Sequence, residues 1–386
     1  MRAALIWSDI PPRYDFGPEH PMKPQRVLLT VSLIRSCGLV DSDEVAVLPR
    51  DEFSTDDVLR LHSEQYVEAV MAASERPDDL LGLEFGLGFG DNPAFAGMHQ
   101  ASLEVCGASV AAARAVWEGK ARHAFNPAGG LHHAMRNLAS GFCIYNDPAA
   151  AIDWLLDHGV RRVAYVDVDT HHGDGVQAFY YNDPRVLTIS VHESGQYLFP
   201  GTGFTREVGE GDARGTSLNV PLEPGTTGEV WLESFDAIVP AALDAFDPEV
   251  LVTQLGCDTH VTDPLAHLAL TTTDYTAIAS RLHRLAHEHA DGRWVAVGGG
   301  GYQIVRVVPR AWTIYFAELS GGRLPHELPW DWLHEAEDMT HVRPPTTFED
   351  EPVHVNPERT QRTRTAARDA VEALKRQAFD HLEKRS

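Results

Sequence analysis

The fold of this chain is constrained most by a set of short apolar runs in its middle and C-terminal thirds. Each run is continuous and does not alternate with polar residues, and a stretch with helical periodicity separates it from the next. Strands buried on both faces have this composition, which is typical of parallel sheets covered by helices. The predicted strands are Arg162–Asp167, Val186–Val191, Val250–Leu255 and Trp294–Val297.

The stretches around and between these runs predict the covering helices. Alternation of strand and helix indicates a doubly wound α/β fold, in which ligands bind beyond the carboxyl ends of the strands. Two further stretches, 77–98 and 196–214, are rich in turn-forming residues and predict long loops, which in a compact domain are usually functional or disordered. The predicted helices are Ala101–Trp117, Pro148–Leu156, Val230–Ala245 and Tyr275–His289.

The C-terminal tail differs from the rest of the chain. From about residue 349 onward, apolar residues recur every three or four positions, which predicts one amphipathic helix. We favour a helix packed on the domain surface over a partner-binding helix. The predicted organisation is therefore one large domain over residues 1–330 and a C-terminal extension over residues 331–386.

Composition excludes several classes of protein. The chain has 56 acidic and 32 basic side chains, a net charge of −24, which argues against direct nucleic-acid binding. No apolar run is long enough to span a membrane, and the N-terminus lacks the core of a signal peptide, so we expect a cytoplasmic protein. The four cysteines are far apart, so any metal must be held by carboxylates and by some of the 20 histidines.

The first strand end with chemistry follows the run Arg162–Asp167. Because side chains alternate along an extended chain, Asp167, Asp169 and His171 are expected to point the same way. Two carboxylates beside a buried strand are costly to bury without partners, and a bound cation removes that cost. The alternative is a polar loop whose aspartates cap the next helix.

A second strand end strengthens the metal hypothesis. Asp258 follows the run Val250–Leu255, so Asp169, His171 and Asp258 form a set of three ligands. Three protein ligands leave a coordination position open, which is the mark of a catalytic site. Zinc and ferrous iron both accept two carboxylates and an imidazole. The alternative role for Asp258 is an N-cap.

Two other motifs suggest the reaction. His132 and His133 can move protons beside a metal, with Asp167 and Asp174 as orienting carboxylates. Tyr302 follows four glycines and can donate a hydrogen bond to a developing oxyanion. Taken alone, a histidine pair is often a surface or core feature, and a tyrosine after glycines can simply pack. Together the motifs indicate metal-assisted hydrolysis of an amide or ester.

Seven segments of the chain resemble, in order, the motifs of the zinc-dependent histone deacetylase superfamily. The resemblance covers about residues 3–320, and it is strongest to the bacterial acetoin-utilisation (AcuC-type) branch, which is similar to class I enzymes. It implies an arginase-like three-layer α/β/α sandwich around a mostly parallel sheet of about eight strands. The segments are GGLHHA, SGFCIYND, VAYVDVDTHHGDGVQ, ISVHESG, FPGTG, QLGCDTHVTDPLAHL and GGGGY.

The resemblance also implies roles for individual residues. The implied zinc ligands are Asp169, His171 and Asp258. The implied catalytic residues are His132, His133, which is favoured as general base and acid, Tyr302, Asp167 and Asp174. The implied substrate-binding residues are Gly141, Phe142, Phe199, Leu265, Gly300 and the rim residue Asp91. Potassium is implied at Asp167, Asp169, His171, Ser190 and Val191, with an outer site near Tyr180, Asp183 and Val186, and Arg26 matches an arginine of an internal acetate channel.

The favoured function is hydrolysis of acetyl-lysine to lysine and acetate on proteins, and the resemblance suggests acetyl-CoA synthetase as a substrate. The alternative is deacetylation of acetylpolyamines or other small acetylated amines on the same fold. A non-catalytic acetyl-lysine reader is a third hypothesis, and the intact set of implied catalytic residues argues against it. Acyl-chain preference, which Leu131 and Leu198 would influence, and oligomeric state stay open.

Overall fold

The computed structural model describes residues 2–8, 13–351, 353, 354 and 356–382. Within these residues, eight strands form a single sheet in which each pair of neighbours is parallel, in the order β2-β1-β3-β8-β7-β4-β5-β6. The predicted parallel α/β sheet is therefore confirmed. The strands are β1 (Ala3–Ile6), β2 (Val45–Leu48), β3 (His123–Asn126), β4 (Val163–Asp167), β5 (Val186–Glu193), β6 (Ser217–Leu222), β7 (Val250–Gln254) and β8 (Trp294–Val297).

Helices cover both faces of this sheet, which gives the predicted three-layer α/β/α sandwich. The layer on one face contains α1, α7, α8, α9 and α11, and the layer on the other contains α3 to α6. The helices are α1 (Gln25–Ser36), α2 (Thr55–Val58), α3 (Glu64–Glu75), α4 (Met98–Trp117), α5 (Asp147–Asp157), α6 (Asp174–Tyr180), α7 (Gly228–Phe246), α8 (Thr272–His289), α9 (Val308–Ser320), α10 (Trp330–Thr340) and α11 (Pro357–Leu382).

Alternate residues of the central strands enter opposite apolar cores, as the pleat requires. In β4, Ala164 and Val166 belong to the first core, which the sheet forms with α1, α7, α8, α9 and α11. Val163 and Tyr165 belong to the second core, which it forms with α3 to α6. Both sets are buried, which explains why these strands read as continuous apolar runs in the sequence. The strands thereby form a rigid platform whose carboxyl ends lie along one edge of the sheet.

The segments outside the platform follow the sequence expectations only in part. Residues 77–97 contain two short 3₁₀ turns, and α4 begins at Met98, three residues before the predicted start. Residues 196–214 form turns that include one 3₁₀ turn, Gly211–Ala213. In the part of the chain that the structure describes, no helix combines the length and the apolar character needed to cross a bilayer.

The C-terminal helix α11 packs its apolar stripe into the first of the two cores. It contacts α7 and the edge strand β6. Arg364 forms ion pairs with Glu229 and Glu233 of α7. The division into a domain over residues 1–330 and an extension over residues 331–386 stays a prediction, and residues 383–386 lie outside the described residues. The buried stripe consists of Ala367, Val371, Leu374, Ala378 and Leu382.

Candidate active site

The candidate site lies where four neighbouring strands end. Strands β3, β8, β7 and β4 are adjacent in the middle of the sheet, and a loop that carries predicted site residues follows each of them. The register pairs Asp167, the last residue of β4, with Gln254, the last residue of β7. The parallel sheet therefore brings together residues that are up to 170 positions apart, from His132 to Tyr302.

Asp169, His171 and Asp258 converge on one point in this edge. His171 Nδ1 lies 3.1 Å from Asp169 Oδ1 and 3.0 Å from Asp258 Oδ2. All three side chains are buried. Ligand atoms about 2.0–2.2 Å from a tetrahedral zinc ion lie about 3.3–3.5 Å apart, so small adjustments would accommodate such an ion.

The electrostatics of the cluster also fit a cation. Burial and the neighbouring Asp169 carboxylate raise the pKa of Asp258 to about 8. In the protein without a metal, the buried carboxylates of Asp169 and Asp258, whose oxygens lie within 4.8 Å of each other, therefore resist being negatively charged at the same time. A divalent cation relieves this repulsion, so the donor set matches a metal site in both geometry and charge.

The cluster is held by groups outside the predicted ligand set. Gln254 Nε2 and the backbone N–H of Gly300 each donate to Asp169 Oδ2 at 2.7 Å. The N–H of Thr170 donates to Asp258 Oδ1 at 2.8 Å. A Cβ at Gly300 would lie 2.0 Å from Asp258 Oδ2, so only glycine fits there. Sequence reasoning missed Gln254, although its position at the end of an apolar strand was a usable signal.

His132 and His133 lie beside this cluster, each with its own carboxylate. His132 Nδ1 donates to Asp167 Oδ2 at 2.8 Å, and His133 Nδ1 donates to Asp174 Oδ1 at 2.6 Å. The two Nε2 atoms are 3.0 Å apart. The predicted pairing of histidines with carboxylates is thus present in the structure.

The two histidines differ in charge. Burial alone would lower the pKa of His132, but the carboxylates of Asp167 and Asp169 raise it to about 9. Burial together with the neighbouring His132 and His171 lowers the pKa of His133 well below its ordinary value. At neutral pH the pair therefore consists of an imidazolium at His132 and a neutral imidazole at His133, which is able to accept a proton.

Asp147 fixes the loop that carries the histidine pair. Its carboxylate accepts the N–H groups of Gly130 at 3.0 Å and Leu131 at 2.8 Å, and the hydroxyl of Ser109 at 2.5 Å. Asp147 is fully buried, and burial raises its pKa to about 6 despite these bonds. This side chain thereby fixes the backbone immediately before His132 and His133.

Asp263 has a corresponding role for Tyr302. Its carboxylate accepts the backbone N–H of Tyr302 at 2.9 Å and that of Leu265 at 2.9 Å. It therefore joins two loops on which predicted site residues lie. Sequence reasoning missed Asp263, because an aspartate before a proline is also a common turn residue.

A narrow cavity leads to the cluster, and the aromatic side chains of Phe142 and Tyr302 line it. The Phe142 ring packs edge-on against Tyr302 with centroids 5.6 Å apart, and Phe199 packs against His133 at 4.9 Å. Gly141, with φ +50°, lies close to both His133 and Phe199, because a Cβ there would lie 2.4 Å from His133 Cδ2 and 2.8 Å from Phe199 Cε1. The cavity is lined by Met22, Arg26, Gly130, Leu131, His132, His133, Gly141, Phe142, Cys143, Asp169, His171, Gly299, Gly300 and Tyr302.

Two predicted substrate-binding residues lie farther out. Asp91 is exposed, and its backbone carbonyl is 3.1 Å from His20 Nε2. The His20 ring packs on Phe142 at 4.5 Å, so Asp91 is tied to the cavity through one intermediate side chain. Leu265 is half-buried beside Asp263.

The residues predicted for potassium binding are brought together only partly. Asp167 and Ser190 are register neighbours, and Val191 follows on β5. The Ser190 hydroxyl is engaged with His192 Nδ1 at 2.8 Å. At the predicted outer site, Asp183 pairs with Arg185, and its backbone bonds to Tyr180 and Val186. Arg26 donates to the carbonyl of Gly299 at 2.7 Å and lines the same cavity as Asp169 and His171.

A candidate metal site of two carboxylates and one imidazole, beside paired histidines at the carboxyl ends of a parallel sheet, is typical of a metal-dependent hydrolase. Comparison with known proteins makes this class specific. The Histone deacetylase domain family matches residues 20–319. The chain therefore belongs to the histone deacetylase family, and it is a metal-dependent deacetylase.

Individual relatives place it in the AcuC-type branch of that family. It is 40% identical over 379 residues to the acetoin utilization protein AcuC of Bacillus subtilis (strain 168), covering 97% of each chain. It is 38% identical over 347 residues to the protein of that name from Staphylococcus aureus (strain MRSA252), covering 88% of each. The crystal structure of an HDAC homolog from Aquifex aeolicus superposes with a TM-score of 0.83 at 30% identity, covering 97% of this chain and all of that one.

Proposed function

We propose that this deacetylase hydrolyses acetyl-lysine on proteins to lysine and acetate. The observation that carries the proposal is the cavity lined by Phe142 and Tyr302, which leads to the candidate metal ligands, with Phe199 packed against its lining residue His133. The four-methylene stem of acetyl-lysine is apolar and its amide is neutral, so aromatic rings suit both. Phe199 is 40% exposed, so the approach to the cavity is accessible to a side chain that extends from a protein surface.

The residues of the site divide the work of hydrolysis. When bound by Asp169, His171 and Asp258, a divalent ion acidifies water and polarises the acetyl carbonyl. His133 accepts the proton of the attacking water, whose oxygen adds to the carbonyl carbon. The Tyr302 hydroxyl donates a hydrogen bond to the oxygen that becomes negative. The C–N bond then breaks, and His133 returns the proton to the leaving lysine nitrogen.

His132 supports this proton transfer without exchanging protons itself. Its imidazolium, paired with Asp167, lies 3.0 Å from the His133 nitrogen. A positive charge there keeps His133 neutral before the reaction and stabilises the negative charge that develops on the substrate. Asp174 holds His133 in one tautomer through its Nδ1–H.

We further propose zinc as the resident ion, with ferrous iron as the alternative, because both accept this donor set. Potassium at Asp167, Ser190 and Val191 is proposed as a structural ion. The names of the Bacillus and Staphylococcus relatives suggest a link to acetoin utilisation for this chain. The four cysteines carry no disulfide, which supports a reducing, cytoplasmic setting.

The experiment that tests the substrate class compares an acetyl-lysine peptide with N-acetylputrescine, each assayed with the zinc-loaded full chain. We expect kcat/KM to be at least about tenfold higher for the peptide, a difference of about 1.4 kcal/mol in transition-state binding. A higher kcat/KM for N-acetylputrescine would assign the chain to small acetylated amines. No turnover of either substrate would contradict the proposal outright.

A further inference from the structure

A second histidine cluster lies at the opposite end of the sheet from the active site. His123 is the first residue of β3, whereas the active-site loops follow the carboxyl ends of the strands. His283 and His287 are four residues apart on α8, so they occupy the same face of that helix. This face packs against the start of β3, and the three rings contact one another with centroids 4.9–5.2 Å apart.

The ring nitrogens are close enough to share one ion. One nitrogen from each histidine lies within 4.8 Å of the other two. His123 Nε2 and His287 Nε2 are 3.2 Å apart. Two nitrogens bound at about 2.0–2.1 Å to a tetrahedral ion lie about 3.4 Å apart, so this pair already has the required spacing.

Oxygen acceptors orient two of the three rings for metal binding. His123 Nδ1 donates to the carbonyl of Leu319 at 2.7 Å, and His283 Nδ1 donates to Glu318 Oε1 at 2.8 Å. In both rings the donated proton leaves Nε2 as the free lone pair. Metal-binding histidines are commonly held in this way, by a carbonyl or carboxylate on the opposite nitrogen.

The cluster is accessible from solvent. His123 is buried, His283 is half-buried and His287 is exposed, so the rings lead from the core to the surface. An open cleft between α7, α8 and α9 includes His283, His287 and Glu318 in its wall. Arg2 and Arg122 lie near enough to oppose a cation, and Glu318 and Asp291 partly offset them.

We propose that His123, His283 and His287 form a second metal site, which takes a borderline divalent cation of the zinc type. Three neutral imidazoles suit such an ion better than magnesium or calcium, which prefer oxygen ligands. Three protein ligands leave a position open to water from the cleft. The bound ion joins β3 to α8, so it stabilises the fold independently of the active centre.

The test is a metal count on the full chain without a histidine tag. Protein dialysed against Zn²⁺ and passed over a chelating resin should retain one ion for each of the two clusters, measured by plasma mass spectrometry. The double variant H283Q/H287Q should lose one of these ions and keep its rate on an acetyl-lysine peptide. H289Q, on the same helix but outside the cluster, is the matched control and should retain both ions.

A second measurement separates the two sites. In a D258N background, which disables the active centre, Zn²⁺ should still raise the Tm of the protein, and adding H283Q/H287Q should abolish this rise. Far-ultraviolet circular dichroism of each variant without metal checks its fold. A single zinc ion in the wild type, equal zinc in H283Q/H287Q and H289Q, or no metal-dependent Tm rise in D258N would overturn the proposal.

Discussion

At the scale of single residues, the site shows how adjacent identical side chains acquire different chemistry. His132 is surrounded by the charges of Asp167 and Asp169, which stabilise its protonated form. His133 donates to Asp174, but burial together with the neighbouring His132, 3.0 Å away, and His171 lowers its pKa. The difference therefore arises from the charges that surround each buried ring.

The first prediction concerns His133. Changing His133 to Ala removes the neutral imidazole that accepts the water proton, so we expect kcat on an acetyl-lysine peptide to fall by about 10²–10⁴-fold. Zinc content should be unchanged, because His133 is not in the ligand set. The exposed His334→Ala variant serves as the control and should keep its rate. A His133→Ala enzyme with the wild-type kcat would remove His133 from the mechanism.

The second prediction concerns the Tyr302 hydroxyl. Tyr302→Phe retains the backbone bond to Asp263 and the ring contact with Phe142, so the loop should keep its position. We expect kcat to fall by about 10²–10³-fold with little change in KM, since one oxyanion donor is lost. Tyr197→Phe, at an exposed tyrosine, is the control. Equal loss in both variants would point to a general defect and contradict the assigned role.

The candidate metal ligands and the two histidines could be predicted from the sequence, because they stand in recognisable motifs at strand ends. Among the residues that hold those groups, Asp167 and Asp174 were predicted, whereas Gln254 and Asp263 were missed. Gln254 and Asp263 act through hydrogen bonds to atoms in other loops, and such partners depend on the tertiary arrangement. Charge asymmetry between His132 and His133 likewise depends on three-dimensional distances that spacing does not encode.

At the scale of elements, four of the eight strands in the described residues were predictable. Strands β4, β5, β7 and β8 lie inside the sheet and consist of apolar runs, whereas β1 and β3, which also lie inside it, were not predicted. Strand β6, Ser217–Leu222, contains polar residues and a proline, as tolerated at an edge. Strand β3, His123–Asn126, has only four residues, two of them polar, so its pattern is too short to identify.

Helix α11 covers the edge strand β6, which would otherwise offer unpaired backbone groups. We propose that this C-terminal extension is a structural part of the catalytic domain, since its apolar residues belong to the same core as α7 and β6. The extension would then contribute to the stability of the sheet without touching the active site.

The third prediction tests this role of α11. Leu374 is fully buried, so Leu374→Ala should lower the free energy of unfolding by about 2–5 kcal/mol through lost contacts and a cavity. Glu372→Ala, on the exposed side of the same helix, should change it by less than about 0.5 kcal/mol. Urea denaturation followed by circular dichroism measures both. Equal midpoints for the two variants would show that the helix does not support the fold.

At the scale of the whole molecule, two groups of potential metal ligands lie at opposite ends of the sheet strands. Carboxylates and one histidine gather at the carboxyl ends of the strands, and three histidines gather at the opposite end. The net charge of −24 overstates the acidity of the surface, because Asp167, Asp169 and Asp258 are fully buried. Attraction of basic partners by the remaining surface acts only over about 8 Å at physiological salt.

Metal-dependent hydrolysis of acetyl-lysine is tested most directly by measuring acetate release from an acetyl-lysine peptide by the full chain before and after metal removal. The metal-stripped protein should be inactive, and zinc should restore the wild-type rate, because the carboxylate and histidine ligands supply no catalysis of their own. Asp258→Asn, which loses one ligand, should not be restored by the same amount of zinc. Undiminished acetate release by the metal-free chain, or full restoration of the Asp258→Asn rate by the same amount of zinc, would contradict a catalytic metal held by Asp169, His171 and Asp258.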